Sequence, residues 1–152
     1  IIPTPNYLDA FFVNRIIQYT IKGNTIRFCT AINCMDGRVQ FPVISFLQKR
    51  FTADYVDTIT EAGPNRILSD AVDTVLIQSI INRLNISIEK HNSVGIAIVG
   101  HHDCAGNPSQ KTMQIKHIHK SIQALQKEFV NVETIGLWVD KDWQVLEIIN
   151  EN

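Results

Sequence analysis

Seven side chains that can take part in metal, redox or acid–base chemistry lie in two short stretches of the sequence. The first stretch reads CMDGR and runs from Cys34 to Arg38; the second reads HHDC and runs from His101 to Cys104. Thiolate and imidazole groups are ligands that zinc prefers in proteins. The residue types therefore allow a metal site formed by Cys34, His101 and Cys104, or a redox pair formed by the two cysteines.

The metal interpretation also gives a role to the rest of the first stretch. A zinc ion with three protein ligands keeps a fourth position open, which is typical of catalytic rather than structural sites. Two thiolates cancel the charge of the ion and weaken its effect on a bound water, so a nearby acceptor for the water proton becomes useful. Asp36 is the candidate for that acceptor, and Arg38 can orient the Asp36 carboxylate through a bidentate ion pair.

Two predicted strands would bring the stretches together. Residues 26–33 and 93–100 are short, apolar and partly β-branched, which is typical of buried strands. Cys34 directly follows the first strand and His101 directly follows the second. In parallel sheets, ligands bind beyond the carboxyl ends of the strands. Two such strands in one sheet would therefore place residues 67 positions apart in contact.

The remaining sequence alternates between helical and strand periods. Helices are predicted at residues 7–21, 41–51, 69–88 and 111–129, and further strands at 55–60, 132–139 and 143–149. Pro42 is expected in the first turn of its helix. Ser69 or Asp70 is expected to cap the helix at 69–88. One face of that helix comprises Val72, Val75, Leu76, Ser79, Ile80, Arg83 and Leu84.

This alternation predicts an α/β fold. We expect a single domain over residues 1–152, with a mostly parallel β-sheet, helices on both faces and a C-terminal edge strand. Cys29 lies within the first strand and is expected in the core. His102 should point away from a metal held by its neighbour. Three further histidines and two tryptophans are expected on helix surfaces or packed against the terminal strands: His91, His117, His119, Trp138 and Trp143.

Composition narrows the class of protein. The chain has 152 residues, of which 45% are hydrophobic and 19% charged, and its net charge is −1. This balance argues against binding to nucleic acid or to a membrane surface. No basic region of a secretory signal opens the sequence. Three cysteines do not suit a disulfide framework, so we expect a reducing compartment, the cytoplasm.

The two stretches together resemble the motifs of the β-class carbonic anhydrases. That family carries Cys-x-Asp-x-Arg after its first core strand and His-x-x-Cys after its third, and the resemblance covers residues 7–149. It implies a zinc ion held by Cys34, His101 and Cys104, and reversible hydration of carbon dioxide to bicarbonate by a metal-bound hydroxide. It also implies two states of Asp36: one in which Arg38 holds it, and one in which it is the fourth zinc ligand.

The resemblance further implies a homodimer or a higher homo-oligomer, because the partner chain builds part of the pocket in this family. The predicted N-terminal helix has apolar residues that would suit an interface, namely Leu8, Phe11, Phe12 and Ile16. Two departures stand out: Glu61 replaces an amide of the usual turn after the second strand, and Ala105 replaces a glycine. Two alternatives follow from the same site, hydrolysis of carbonyl sulfide or carbon disulfide, and a zinc protein without turnover.

Overall fold

The computed structural model describes residues 26–148, so the predicted helix at residues 7–21 lies outside the described residues. The strands are β1 (Phe28–Cys34), β2 (Tyr55–Glu61), β3 (Gly95–His101), β4 (Glu133–Val139) and β5 (Val145–Ile148). The helices are α1 (Gly37–Phe51), α2 (Pro64–Asp70), α3 (Thr74–His91) and α4 (Lys111–Glu128). None of these helices is long and apolar enough to cross a lipid bilayer.

The five strands form one sheet in the order β2-β1-β3-β4-β5. The first four strands run parallel, and β5 pairs antiparallel with β4 at one edge. The chain proceeds from β1 to β2 on one side and then crosses to β3 on the other. The order therefore reverses between β1 and β3, and crevices at such a switch point are where open α/β sheets bind ligands. Cys34 ends β1 and His101 ends β3.

Helices cover both faces of the sheet, as predicted. On one face α1 buries Val39, Val43, Leu47 and Phe51 against residues such as Ala31 and Val99. On the other face a second apolar layer joins α2, α3 and α4 to the sheet through a group of buried residues: Ile32, Leu68, Ile80, Leu84, Ile98, Ile118, Ile122 and Leu125. The predicted α/β class, the mostly parallel sheet and the C-terminal edge strand are confirmed. A single domain over residues 1–152 stays a prediction.

The prediction of one helix over residues 69–88 was wrong. A short helix, α2, begins at Pro64 and ends where Ala71 adopts a left-handed backbone with φ 56°. The next helix begins at Thr74, and Asp73 caps it by accepting the N–H of Leu76 at 2.9 Å. Neither Ser69 nor Asp70 caps it, because both belong to α2.

Because of this break, the first residues of the predicted helical face do not lie on the buried side of α3. Val72 precedes α3 and is 83% exposed, and Val75 in its first turn is 81% exposed, whereas Ile80 and Leu84 are fully buried as predicted.

The start of α1 also differs from the prediction, because α1 begins at Gly37 rather than at residue 41. Pro42 therefore lies inside the helix instead of in its first turn, and it leaves one carbonyl without a helical donor.

Candidate metal centre

Three side chains with metal-binding atoms meet at the switch point. The ligand atoms of Cys34, His101 and Cys104 all lie within 4.8 Å of one another, and all three residues are buried. Cys34 comes from the end of β1, His101 from the end of β3, and Cys104 from the turn that follows. The fold therefore brings together the three residues that the sequence predicted as ligands.

The imidazole of His101 is already in the tautomer that a metal ligand needs. Its Nδ1 lies 2.7 Å from the backbone carbonyl oxygen of His102, so Nδ1 carries the hydrogen and donates it. The other nitrogen, Nε2, is then a free acceptor, and it is buried with no hydrogen-bond partner among the described residues. A buried polar atom without a partner is costly. A metal ion would satisfy it.

The two sulfurs have the separation that a shared zinc ion requires. Cys34 Sγ and Cys104 Sγ are 3.8 Å apart, and two sulfurs at about 2.3 Å from one tetrahedral zinc are roughly 3.8 Å apart. A disulfide would need about 2.0 Å, and both thiols are free. A reduced redox pair could also have this spacing, but the unpartnered Nε2 of His101 in the same cluster favours the metal site.

Electrostatics at the sulfurs also suits a cation. The hydrogen bond with Cys104 lowers the pKa of the Cys34 thiol to about 4, with smaller contributions from His101 and from the backbone N–H groups of Asp36 and Gly63. The same thiol–thiol contact, together with burial, raises the pKa of Cys104. One thiol of the pair is thus favoured as a thiolate, which is the form that binds a metal, and a dication would favour the thiolate form of both. The donor set therefore fits zinc.

Polar side chains fix the loop that carries Cys34. Asn33 Oδ1 accepts the N–H of Cys34 at 2.9 Å. From the first turns of α1, Gln40 Nε2 donates to the carbonyl of Cys34 at 2.6 Å and to that of Asp36 at 2.9 Å. These hydrogen bonds fix the backbone conformation between Asp36 and the proposed metal ligand Cys34.

A second glutamine performs the same task for His101. Gln114, in the first turn of α4, is 1% exposed. Its Nε2 donates to the carbonyls of His101, Asn107 and Ser109 at 2.9, 3.1 and 3.2 Å. Its Oε1 accepts the N–H of His101 at 3.3 Å and Asn65 Nδ2 at 3.2 Å. Sequence analysis missed both glutamines, because a glutamine near a helix start normally faces solvent.

The turns after β2 and β3 touch through two glycines. Gly63 has a left-handed backbone with φ 66°, and a Cβ there would lie 2.7 Å from the backbone carbon of Gly106. A Cβ on Gly106 would lie 2.3 Å from the backbone carbon of Ala62. The close approach therefore needs glycine at position 106, and Ala105, which departs from the family motif, is exposed.

Asp36 and Arg38 form the predicted pair beside the ligand cluster. Arg38 Nε lies 3.0 and 3.1 Å from the two carboxylate oxygens of Asp36, and Nη2 lies 2.6 Å from Oδ2. Asp36 Oδ1 also accepts the N–H of Arg38 at 2.9 Å and thereby caps α1. These hydrogen bonds lower the pKa of Asp36 to about 2. The carboxylate is therefore ionised and can only accept hydrogen bonds.

Two further residues contact Arg38, and sequence analysis predicted neither contact. Asp103 Oδ2 accepts from Nη1 at 3.2 Å. The ring centroid of Trp143 lies 4.7 Å from Cζ of Arg38. Trp143 lies in the turn between β4 and β5, so the expectation that it packs the terminal strands describes only part of its environment.

The remaining candidates lie outside the ligand cluster. Cys29 is fully buried in the core, as expected, and burial raises the pKa of its thiol to about 11. His102 is exposed. Glu61 forms an ion pair with Arg83 of α3, so this departure from the family turn has its own partner in the chain.

Comparison with known proteins agrees with this geometry. A family model described as "Putative carbonic anhydrase" matches residues 24–149, more than four fifths of the chain. The chain belongs to this family. The resemblance of the two motifs to carbonic anhydrases is thereby confirmed at the level of the family. No curated protein sequence matches the chain significantly.

Solved structures of β-carbonic anhydrases share the fold at low sequence identity. One of two tetrameric enzymes from Sordaria macrospora is 12% identical, with a TM-score of 0.52 over 90% of this chain and 87% of that chain. The β-carbonic anhydrase CcaA is 12% identical, with a TM-score of 0.52 over 91% of this chain and 88% of that chain. A mutant form of the β-carbonic anhydrase CafD from Aspergillus fumigatus is 14% identical, with a TM-score of 0.55 over 82% of this chain and 90% of that chain. These similarities establish the fold.

Proposed function

We propose that this member of the carbonic anhydrase family is a zinc enzyme that interconverts carbon dioxide and bicarbonate, with Cys34, His101 and Cys104 as the zinc ligands. One observation carries the proposal: a buried imidazole nitrogen without a partner among the described residues faces two thiols 3.8 Å apart. When bound, zinc would supply a Lewis acid that lowers the pKa of water. The chain must then orient the water and exclude competing ligands.

Asp36 and Arg38 are the residues that would do so. The ionised Asp36 carboxylate can accept a hydrogen bond from the attacking water and thereby orient it. Arg38 occupies both oxygens of that carboxylate and keeps them in one orientation. Because the pKa of Asp36 is low, it is a poor base. We therefore assign Asp36 to orienting the water rather than to accepting its proton, the role that the sequence had suggested, and the proton would pass to buffer.

The assembly and location are part of the proposal. The Sordaria macrospora relative is described as tetrameric, which supports a homodimer or higher homo-oligomer here. The apolar residues Leu8, Phe11, Phe12 and Ile16 would contribute to its interface. Two adjacent thiols act as ligands only while reduced, which favours the cytoplasm.

The test is stopped-flow hydration of carbon dioxide by zinc-loaded protein. We expect turnover in the wild type and a loss of about 10²-fold in Asp36→Ala and in Arg38→Ala, both with zinc retained, because misplacing a reacting group typically costs about that factor. The double variant should lose no more than either single variant, because the residues act as one unit. Arg66→Ala is the control, since Arg66 forms an exposed ion pair with Asp70 on α2.

Zinc-loaded wild type without turnover of carbon dioxide would reject the proposed reaction. Activity on carbonyl sulfide or carbon disulfide alone would assign the site to those substrates. Inactivity on all three would leave a zinc protein without turnover. Stable, zinc-loaded Asp36→Ala protein with wild-type rates would remove the catalytic role of the pair and leave it a structural one.

A further inference from the structure

Trp143 has a backbone conformation that a bulky residue rarely adopts. Its φ is 60°, in the left-handed region, and such residues persist only where their surroundings fix them. Here the turn itself provides the restraint. Asp140 Oδ1 accepts the N–H groups of Asp142 and Gln144, both at 2.9 Å, and the Trp143 N–H donates to the carbonyl of Asp140 at 3.1 Å.

This turn presents the indole to Arg38. The guanidinium carbon lies 4.7 Å from the ring centroid, within the range of a cation–π contact. Trp143 also packs against the apolar layer beneath α1. The ring therefore contacts both the apolar layer and the guanidinium.

The donors of Arg38 are shared between two carboxylates. Nε and Nη2 bond to Asp36, Nη1 bonds to Asp103 Oδ2 at 3.2 Å, and Nη2 also lies 3.4 Å from the Asp103 carbonyl. The side chain of Arg38 is 48% exposed. An isolated ion pair at that exposure contributes little, because water competes for both partners. The pair with Asp36 therefore needs further contacts to stay in one geometry.

We propose that Trp143 and Asp103 are positioning residues that hold Arg38 in place, so that Asp36 stays bound to Arg38 and does not close the metal site as a fourth ligand. The inference rests on the proposed metal ligands. Without Trp143, one face of the guanidinium opens to solvent and Arg38 can leave. Asp36 then keeps only its capping bond to the Arg38 N–H, and its other oxygen is free to act as an anionic ligand two residues from Cys34.

Zinc affinity tests this directly, because it does not depend on turnover. Competition with a chelator should show that Trp143→Ala binds zinc about tenfold more tightly than the wild type, since contacts around a metal site shift affinity by 10–100-fold. In an Asp36→Ala background the same change should have no effect. Asp103→Asn should tighten binding by a smaller factor. Asp142→Asn, in the same turn as Trp143 but paired with Lys141, is the control and should bind like wild type.

Two more variants separate the ring from the backbone. Trp143→Gly removes the ring and suits a left-handed φ, so it should tighten zinc binding as Trp143→Ala does even if the alanine variant folds poorly. Trp143→Phe keeps an aromatic face and should restore the wild-type affinity.

The results that would overturn the positioning role differ from those that would reject the proposed function. Unchanged or weaker zinc binding in both Trp143→Ala and Trp143→Gly overturns the positioning role. A gain that persists in the Asp36→Ala background overturns it as well. A wild type that binds no zinc rejects both proposals. A wild type that binds zinc but does not hydrate carbon dioxide rejects only the proposed reaction, and the affinity comparison still decides the role of Trp143.

Discussion

Gln114 bonds to both backbone groups of His101: its Oε1 accepts the N–H at 3.3 Å, and its Nε2 donates to the carbonyl at 2.9 Å. The same side chain bonds to the carbonyls of Asn107 and Ser109, beyond Cys104. One buried amide therefore connects the end of β3 to the loop that follows it. The relative position of two proposed ligands, His101 and Cys104, depends on this amide.

Replacing Gln114 should accordingly weaken zinc binding. Gln114→Met keeps the volume and removes the hydrogen bonds of the amide, so zinc affinity should fall about 10–100-fold. The melting temperature of the metal-free protein should also fall, because each unsatisfied buried group costs about 1–3 kcal/mol. Gln123→Met, at an exposed position of the same helix, is the matched control. Equal zinc affinities in the two variants would contradict the role of Gln114.

Loss of one thiol should remove the metal. Cys34→Ser protein should contain well under one zinc per chain by atomic absorption, because serine is not among the ligands that zinc prefers. Its melting temperature should no longer rise when zinc is added, since metal binding is coupled to folding. Cys29→Ala, which changes a buried thiol outside the cluster, should keep one zinc per chain. Full zinc occupancy in Cys34→Ser would refute the ligand assignment.

The contact between the two turns makes a steric prediction. Gly106→Ala would place Cβ 2.3 Å from the backbone carbon of Ala62, and neither backbone can yield cheaply. Overpacking of this kind typically costs about 1–3 kcal/mol, which urea unfolding should detect. Gly37→Ala is the control, because a Cβ at Gly37 meets no atom of the described residues within 4 Å. If both variants are equally stable, the close approach of the turns does not constrain the fold.

The imidazole of His117 should make stability depend on pH. Burial lowers the pKa of His117, with opposing effects from Asp70 and from Arg66 and Lys120. The neutral ring lies 3.0 Å from Asn107 Nδ2, which can donate to Nδ1. Above about pH 6.5 the ring is neutral in the folded and unfolded chain, so its contribution is complete. As the pH falls below that value the unfolded chain binds the proton first, and stability is lost.

The measurement is the fall in melting temperature between about pH 7.5 and about pH 5.5, on either side of the ordinary histidine pKa. It should be smaller in His117→Gln than in the wild type, because glutamine does not titrate. His119→Gln should behave like the wild type. If the melting temperature falls equally in the wild type and in both variants, protonation of His117 is not linked to unfolding.

The ligand cluster was predictable because its residues follow recognisable strands. Cys34 and His101 each come directly after an apolar run, and parallel strand ends meet at one edge of the sheet. The layers of the fold were predictable for the same reason. The supporting residues were not, because Gln40 and Gln114 have no local sequence signal that separates a buried amide from a solvated one. Their partners are backbone groups that only the tertiary structure brings near.

Two other features depended on backbone geometry that residue types do not specify. Apolar residues continue at helical spacing through Val72 and Val75, yet the left-handed φ of Ala71 ends one helix and starts another. Trp143 follows Asp140-Lys141-Asp142, which indicates a turn, but nothing in that turn indicates a ring placed on Arg38.

The long sequence separation within the site fixes the order in which it can assemble. Cys34 and Cys104 are 70 positions apart, so among the proposed ligands an unfolded chain offers zinc only the neighbouring pair His101 and Cys104. Contacts of such separation form slowly, and the fold holds Cys34 beside Cys104 through the pairing of β1 with β3. Trp143 is synthesised later still. On a chain emerging from the ribosome, the three ligands would therefore be present before Trp143. During that interval Arg38, held by Asp103 but not yet by Trp143, would compete with zinc for Asp36.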